Sequence, residues 1–125
     1  ANATIKYKLL VNGRIKAKDE VTITDTGWAD YVFAKDYRLK PLSEVAEYIN
    51  ENGHLPNMPS ATEIENNGMP LANITIKQQE KIEELTLYAI EQDKKLNARQ
   101  TQLETQQKEV EALQKLVNQL INKAK

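Results

Sequence analysis

Apolar residues recur every seven positions through the last third of the chain. Counting from Ile82 as the first core position, a, and Leu85 as the second, d, the repeat continues almost to the C-terminus. A heptad pattern is buried only when helices pack against one another, so it predicts a coiled-coil stalk that assembles with other chains. The predicted oligomerisation seam consists of Ile82, Leu85, Ala89, Gln92, Leu96, Arg99, Leu103, Gln106, Val110, Leu113, Val117 and Leu120, with Ile121 beside it.

The residue types along this seam leave the number of helices open. β-Branched residues at a with leucine at d are typical of parallel dimers. Leu116 and Ile121, however, widen the apolar stripe near the C-terminus, and a wide stripe favours more than two helices. The middle of the seam is polar at consecutive d positions, which costs stability and can fix register or oligomer number; these residues are Gln92, Arg99 and Gln106.

Region 73–125 is predicted to form this stalk, with Asn73 as a good helix N-cap. About 50 residues at a rise of 1.5 Å each would span roughly 75 Å. The pattern leaves open whether the helix is continuous or folds back near Asn97, which would give antiparallel helices. Charged residues on the stalk, including Glu83 and Glu84, are expected to solvate it and to set pairing register.

Residues 1–25 show an alternation typical of β-strands. Ile5, Tyr7, Leu9 and Val11 alternate with polar residues, and Asn12-Gly13 then favours a tight hairpin. Val21 and Ile23 suggest a third short strand. The sequence therefore predicts a β-rich shaft end, whose few strands would need neighbouring chains for stability.

Region 26–72 is predicted to form a small collar of short helices and a Pro-rich loop. A helix is expected behind Pro41 and should stop at Asn52-Gly53. Ser60 and Glu63 form a capping-box pattern for a second helix that ends at Asn67-Gly68. The expected fold class is α+β, mainly α.

Four of the seven aromatic residues lie within ten positions of the collar. Aromatic side chains dominate burial in small domains, so we expect these four to form the collar core, the alternative being a stacking surface for sugar rings. The four residues are Trp28, Tyr31, Phe33 and Tyr37.

Composition excludes several functional classes. The net charge is −1, so the chain has no basic field for nucleic acid, and no apolar run is long enough to insert into a membrane. Cysteine is absent, and the lone histidine, His54, is expected to be a structural hydrogen-bonding group. We expect no catalytic residue, no metal and no cofactor. The chain begins Ala1-Asn2-Ala3 without a methionine, so we expect it to be part of a longer polypeptide.

An ordered series of short motifs resembles the C-terminal module of tail-fibre-like proteins, which are common among Bacteroidetes surface proteins and their phages. The resemblance covers nearly the whole chain and implies a parallel homotrimeric fibre end, with a β-rich shaft, a collar and a coiled coil. It thereby favours three helices over two. The motifs span residues 7–17, 28–33, 35–39, 51–56, 59–61 and 81–88.

A weaker resemblance concerns Asp36-Tyr-Arg-Leu-Lys40. This run is similar to part of the Ser-Asp-x-Arg-Leu-Lys motif of endosialidase-type intramolecular chaperones, which cut themselves from fibre ends. The serine nucleophile of that motif would stand where this chain has Lys35, which carries no hydroxyl. The resemblance therefore implies a chaperone role without cleavage; recruitment of another serine for self-cleavage is the alternative.

These observations predict an extracellular structural protein of a virion tail fibre or a bacterial cell surface. Its partners would be two further copies of itself and upstream fibre domains. The alternative functions are an adhesin tip that binds a cell-surface glycan or protein, and a self-cleaving chaperone peptidase.

Overall fold

The computed structural model describes residues 7–24 and 27–125, and all regular elements in these ranges are helical. A short 3-10 helix, Ala29–Phe33, precedes α1, Leu42–Asn52. Helix α2 spans Ala61–Asn67, and α3 spans Leu71–Lys123. Extended segments and turns connect them.

The predicted N-terminal β-hairpin is wrong, and with it the α+β class: residues 7–24 form no strand. The chain bends at Asn12-Gly13, but the segments on either side do not pair. Leu9 is 77% exposed and Ile15 is 74% exposed, so neither side chain packs on an apolar surface of this chain. A two-stranded ribbon without an apolar surface to pack on is marginal in water. Ile5 lies outside the described residues.

Helix α1 confirms the expected element behind Pro41. Pro41 occupies the N-cap position, where its missing N–H is of no consequence. Gly53 ends the helix in the left-handed conformation, with φ 73°, and donates its N–H to the Ile49 carbonyl at 2.8 Å. Leu42 and Ile49 share one face of this helix, and that face is not fully buried within the chain.

The capping box of α2 is also confirmed. The Ser60 hydroxyl accepts a hydrogen bond from the Glu63 N–H at 3.3 Å, and the Glu63 carboxylate accepts one from the Ser60 N–H at 2.7 Å. Gly68 ends the helix by donating its N–H to the Ile64 carbonyl at 2.9 Å. These caps set the two ends of α2.

Helix α3 is a single element of 53 residues, so the long C-terminal helix is confirmed. At 1.5 Å per residue it is about 80 Å long. It begins at Leu71, two residues before the predicted start, with Pro70 as N-cap. No break occurs near Asn97, whose carbonyl accepts a hydrogen bond from the Thr101 hydroxyl at 3.1 Å. The fold-back alternative is therefore not what this chain adopts.

The collar lies against the first third of α3. The 3-10 helix packs directly on α3, and its Ala29 and Val32 are the fully buried aliphatic side chains of the described ranges. So small an apolar core contributes only a few kcal/mol by area. Other interactions must therefore help to hold the collar on the helix.

The left-handed cap of α1 gives a direct test of local stability. No atom lies within 4 Å of a Cβ placed on Gly53, so only the backbone conformation opposes a side chain there. We expect Gly53→Ala to lower the free energy of unfolding by about 1 kcal/mol, and Gly53→Asn to lower it less because asparagine tolerates this conformation better. Denaturant titration measures both; equal losses would contradict this explanation.

Candidate functional site

The predicted oligomerisation seam is exposed along its whole length. Leu96 is 63% exposed and Leu120 is 66% exposed, and every seam residue from Ile82 to Ile121 is exposed to solvent. Monomeric soluble proteins rarely leave so long an apolar stripe in contact with water. The seam is therefore the leading candidate for a binding surface.

The collar covers the side of α3 opposite this seam. Glu80 and Glu83 are buried, and Leu87 is half-buried; these residues occupy heptad positions f and b, away from a and d. Between residues 75 and 89, every a and d position stays exposed, namely Thr75, Gln78, Ile82, Leu85 and Ala89. This stretch of α3 therefore packs against its own collar on one face, and its a and d positions are exposed to solvent on another.

A set of hydrogen bonds, here called the collar network, joins the collar to α3. Glu80 lies at its centre: its carboxylate accepts hydrogen bonds from the Tyr31 hydroxyl and, at 2.7 Å, from the Asn57 side-chain amide. Asn57 has a left-handed backbone, with φ 60°, which costs energy for a residue other than glycine. Lys77 donates to the Asn57 carbonyl at 2.6 Å. These bonds fix the Pro-rich loop on the helix.

The collar network continues one turn further along α3. The Tyr37 hydroxyl donates to Glu84 at 2.5 Å, and Lys81 pairs with Glu84 at 2.8 Å and with Glu80 at 3.1 Å. The Tyr88 hydroxyl donates to the Lys40 carbonyl at 2.6 Å. Because Lys81 lies between two carboxylates, its single positive charge offsets part of the negative charge that the collar encloses.

The protonation equilibria follow these contacts. Burial opposes ionisation of Glu80, but hydrogen bonds from Tyr31, Asn57 and Lys81 outweigh burial and lower its pKa. The hydrogen bond to Glu80, together with burial and nearby carboxylates, raises the pKa of Tyr31 to about 12. Burial and the bond to Glu84 also raise the pKa of Tyr37. Near neutral pH, Glu80 is therefore ionised, and the phenols of Tyr31 and Tyr37 are neutral.

The collar network was not predicted from the sequence, and the prediction that Glu83 and Glu84 solvate the stalk is wrong. Glu83 is buried, with one carboxylate oxygen 2.9 Å from the Gln79 side-chain amide that donates to it. Its other oxygen has no hydrogen-bonding partner among the described residues. The available signal was spacing: Glu80, Glu84 and Leu87 follow one another at helical intervals on the face away from the seam.

The four clustered aromatic residues do not form a deep core within one chain. Trp28 is 52% exposed and Phe33 is 55% exposed. The Tyr31 and Tyr37 rings lie 6.0 Å apart, and their hydroxyls reach α3 instead of being enclosed by apolar groups. A cavity of about 190 Å³ separates Trp28 from Ile76 near the start of α3. The expected aromatic core is thus replaced by two tyrosine anchors and two half-exposed rings.

His54 makes local contacts. Its Nδ1 atom lies 3.0 Å from the Leu55 carbonyl, and its ring meets the Tyr48 ring edge-on at 5.6 Å. Residues 7–24 and 27–125 hold no cluster of three or more histidine or acidic side chains placed to bind a metal. In the same ranges, no helix combines the length and the apolar character needed to cross a membrane.

Comparison with known proteins gives no match to any family model, curated protein or solved structure. The site is therefore interpreted from its own geometry.

The raised pKa of Tyr31 predicts a loss of stability at high pH. The pKa of Tyr31 is higher in the folded chain than the ordinary value of 10. Its contribution to the free energy of unfolding is therefore complete below pH 10 and declines as pH rises through about 12. We expect Tyr31→Phe to lower the free energy of unfolding at pH 8. Between pH 10 and 12 the variant should then lose less of its remaining stability than the wild type does. Chemical unfolding across this range measures both effects. If the free energy of unfolding falls by the same amount in variant and wild type over this pH range, the assigned hydrogen bond from Tyr31 to Glu80 is contradicted.

Proposed function

We propose that this chain is a structural, non-enzymatic trimerisation and folding module at the C-terminal end of a phage tail fibre or bacterial surface filament. One observation carries the proposal: a continuous 53-residue helix has its heptad seam exposed while its own collar occupies the opposite face. A helix arranged in this way can accept partner helices at its exposed a and d positions while Glu80 and Glu84 keep their bonds to the collar. The proposed partners are two further copies in parallel register.

Two apolar residues beside the seam support parallel pairing. Leu116 occupies a g position and Ile121 the e position of the following heptad, and both are exposed. In parallel coiled coils, g residues of one helix meet e residues of the next helix. Contacts between them would extend the apolar core beyond a and d, which favours three helices over two. The resemblance to fibre ends also favours three helices.

The proposed folding role follows from effective concentration. Once three α3 helices pair, the segments upstream of each are held close to their counterparts, and later contacts become intramolecular. The exposed apolar residues of segment 7–24, such as Leu9 and Ile15, then meet identical segments at high local concentration. Assembly would in this way help upstream regions to fold.

Placing charges in the seam tests the proposed trimer. We expect wild type to have a mass near three times the 14.2 kDa chain over a range of concentration, by light scattering. Leu113→Asp with Leu120→Asp should weaken association at least about tenfold, because buried charges lose hydration. The matched control, Ala112→Asp with Gln119→Asp, adds the same charge at c positions and should keep the trimer.

The light-scattering outcomes separate the alternatives. A wild-type mass of two chains would overturn the trimer but keep self-association through the seam. A wild-type monomer at every concentration would overturn the proposed function.

Exposure of Trp28 and Phe33 favours a second candidate function, an adhesin tip that stacks sugar rings on these side chains. For this function we expect Trp28→Ala to lose binding on a glycan array while it keeps wild-type mass and helix content. A variant that loses mass or helicity instead would show that Trp28 has a structural role.

A further inference from the structure

We propose that α1 of each collar docks on α3 of the neighbouring copy, with the neighbour's Ile90 entering a cavity between α1 and α3. This inference rests on the proposed parallel self-association and adds a second contact to it. The site is formed by two chains, because one chain supplies the cavity and the next chain supplies the side chain that fills it.

The cavity has a volume of about 290 Å³ and lies between α1, the Pro-rich loop and α3. Leu42 and Val45 of α1 form one apolar wall, and Leu55 and Pro56 of the loop form another. Leu42 and Leu55 remain exposed within the single chain. Leu42 and Leu55 therefore present uncovered aliphatic surface at the opening, whereas Pro56 is buried and the rest of the lining includes charged side chains.

The cavity is continuous with the seam. Leu85, a d residue of the seam, also lines the cavity, and Lys81 and Tyr88 line it from g positions. The collar thus leaves this opening on the g flank of α3. In a parallel coiled coil, the g flank of one helix faces the e flank of the next, so a helix seated on the seam would lie beside the opening.

Ile90 is an exposed apolar residue that the heptad seam does not explain. It occupies a b position, adjacent to the e flank, and is 47% exposed because its own collar does not cover it. Leu42 also lines a second recess, with Tyr88 and Lys95, so it lies beside α3 near Tyr88, within one helical turn of Ile90. For chains in register, the neighbour's Ile90 is then at the height of Leu42.

Rotational symmetry lets the cavity of each chain meet the Ile90 surface of the next chain. The cavity and Ile90 lie on opposite flanks of α3, so they cannot meet within one chain. In a closed ring of parallel chains, each cavity meets the Ile90 flank of the next chain, and every copy uses both surfaces once. The contact therefore needs no residues beyond those the single chain leaves exposed.

Disulfide trapping tests the docking, and the cysteine-free chain makes introduced thiols unambiguous. We expect Leu42→Cys with Ile90→Cys to give covalent dimers and trimers on a non-reducing gel after mild oxidation, because a disulfide needs Cα atoms about 4.4–6.8 Å apart. The matched control, Leu42→Cys with Asn97→Cys, places the second thiol one heptad further along the same b column. This control should give no such ladder.

A third pair, Leu116→Cys with Ile121→Cys, reports the parallel stalk independently of the collar. A ladder from this pair without one from the Leu42 and Ile90 pair would overturn the docking and leave the proposed function intact. Absence of both ladders would overturn both. Two further results would also contradict the docking. One is an equal yield of covalent oligomers from the Leu42 and Ile90 pair and from the Leu42 and Asn97 pair. The other is a disulfide within a single chain in the Leu42 and Ile90 pair.

Discussion

Division of α3 into two opposite faces is the constraint on which the rest of this structure depends. Glu80 and Glu84 face the collar and accept hydrogen bonds from the hydroxyls of Tyr31 and Tyr37, while Ile82 lies on the seam and remains exposed. A helix of uniform apolar character would instead collapse onto its own collar. Carboxylates on one face select phenols and amides as neighbours, and the aliphatic face is left exposed.

This division also explains why the collar can be so small. Its fully buried aliphatic residues, Ala29 and Val32, remove little apolar surface from water. The hydrogen bonds of the collar network position the loop at Asn57 and the segment near Tyr37, and charge-assisted bonds of this kind are stronger than neutral ones. Polar contacts therefore do much of the positioning that an apolar core would do in a larger domain.

The helices could be predicted from the sequence because their signals are local. Gly53 supplies the left-handed cap of α1, and Ser60 with Glu63 supplies the capping box of α2. The hairpin prediction failed because alternation at Leu9 and Ile15 becomes a strand only where a partner strand and an apolar surface exist, and the single chain provides neither. The collar network could not be predicted, since Tyr31 and Glu80 meet across 49 residues of chain and no periodicity links them.

The part of α3 beyond Lys95 has a different physical character from the part beside the collar. Every residue from 96 to 123 is exposed, so the helix there has only contacts along itself and no other element of the described residues packs on it. Helical stability in proteins comes mostly from packing, and a solitary polar helix in water frays continually. Under the proposed association, neighbouring helices would supply that packing, and helix formation would be coupled to the encounter of chains. The order of the distal helix would then rise steeply with the local number of chains.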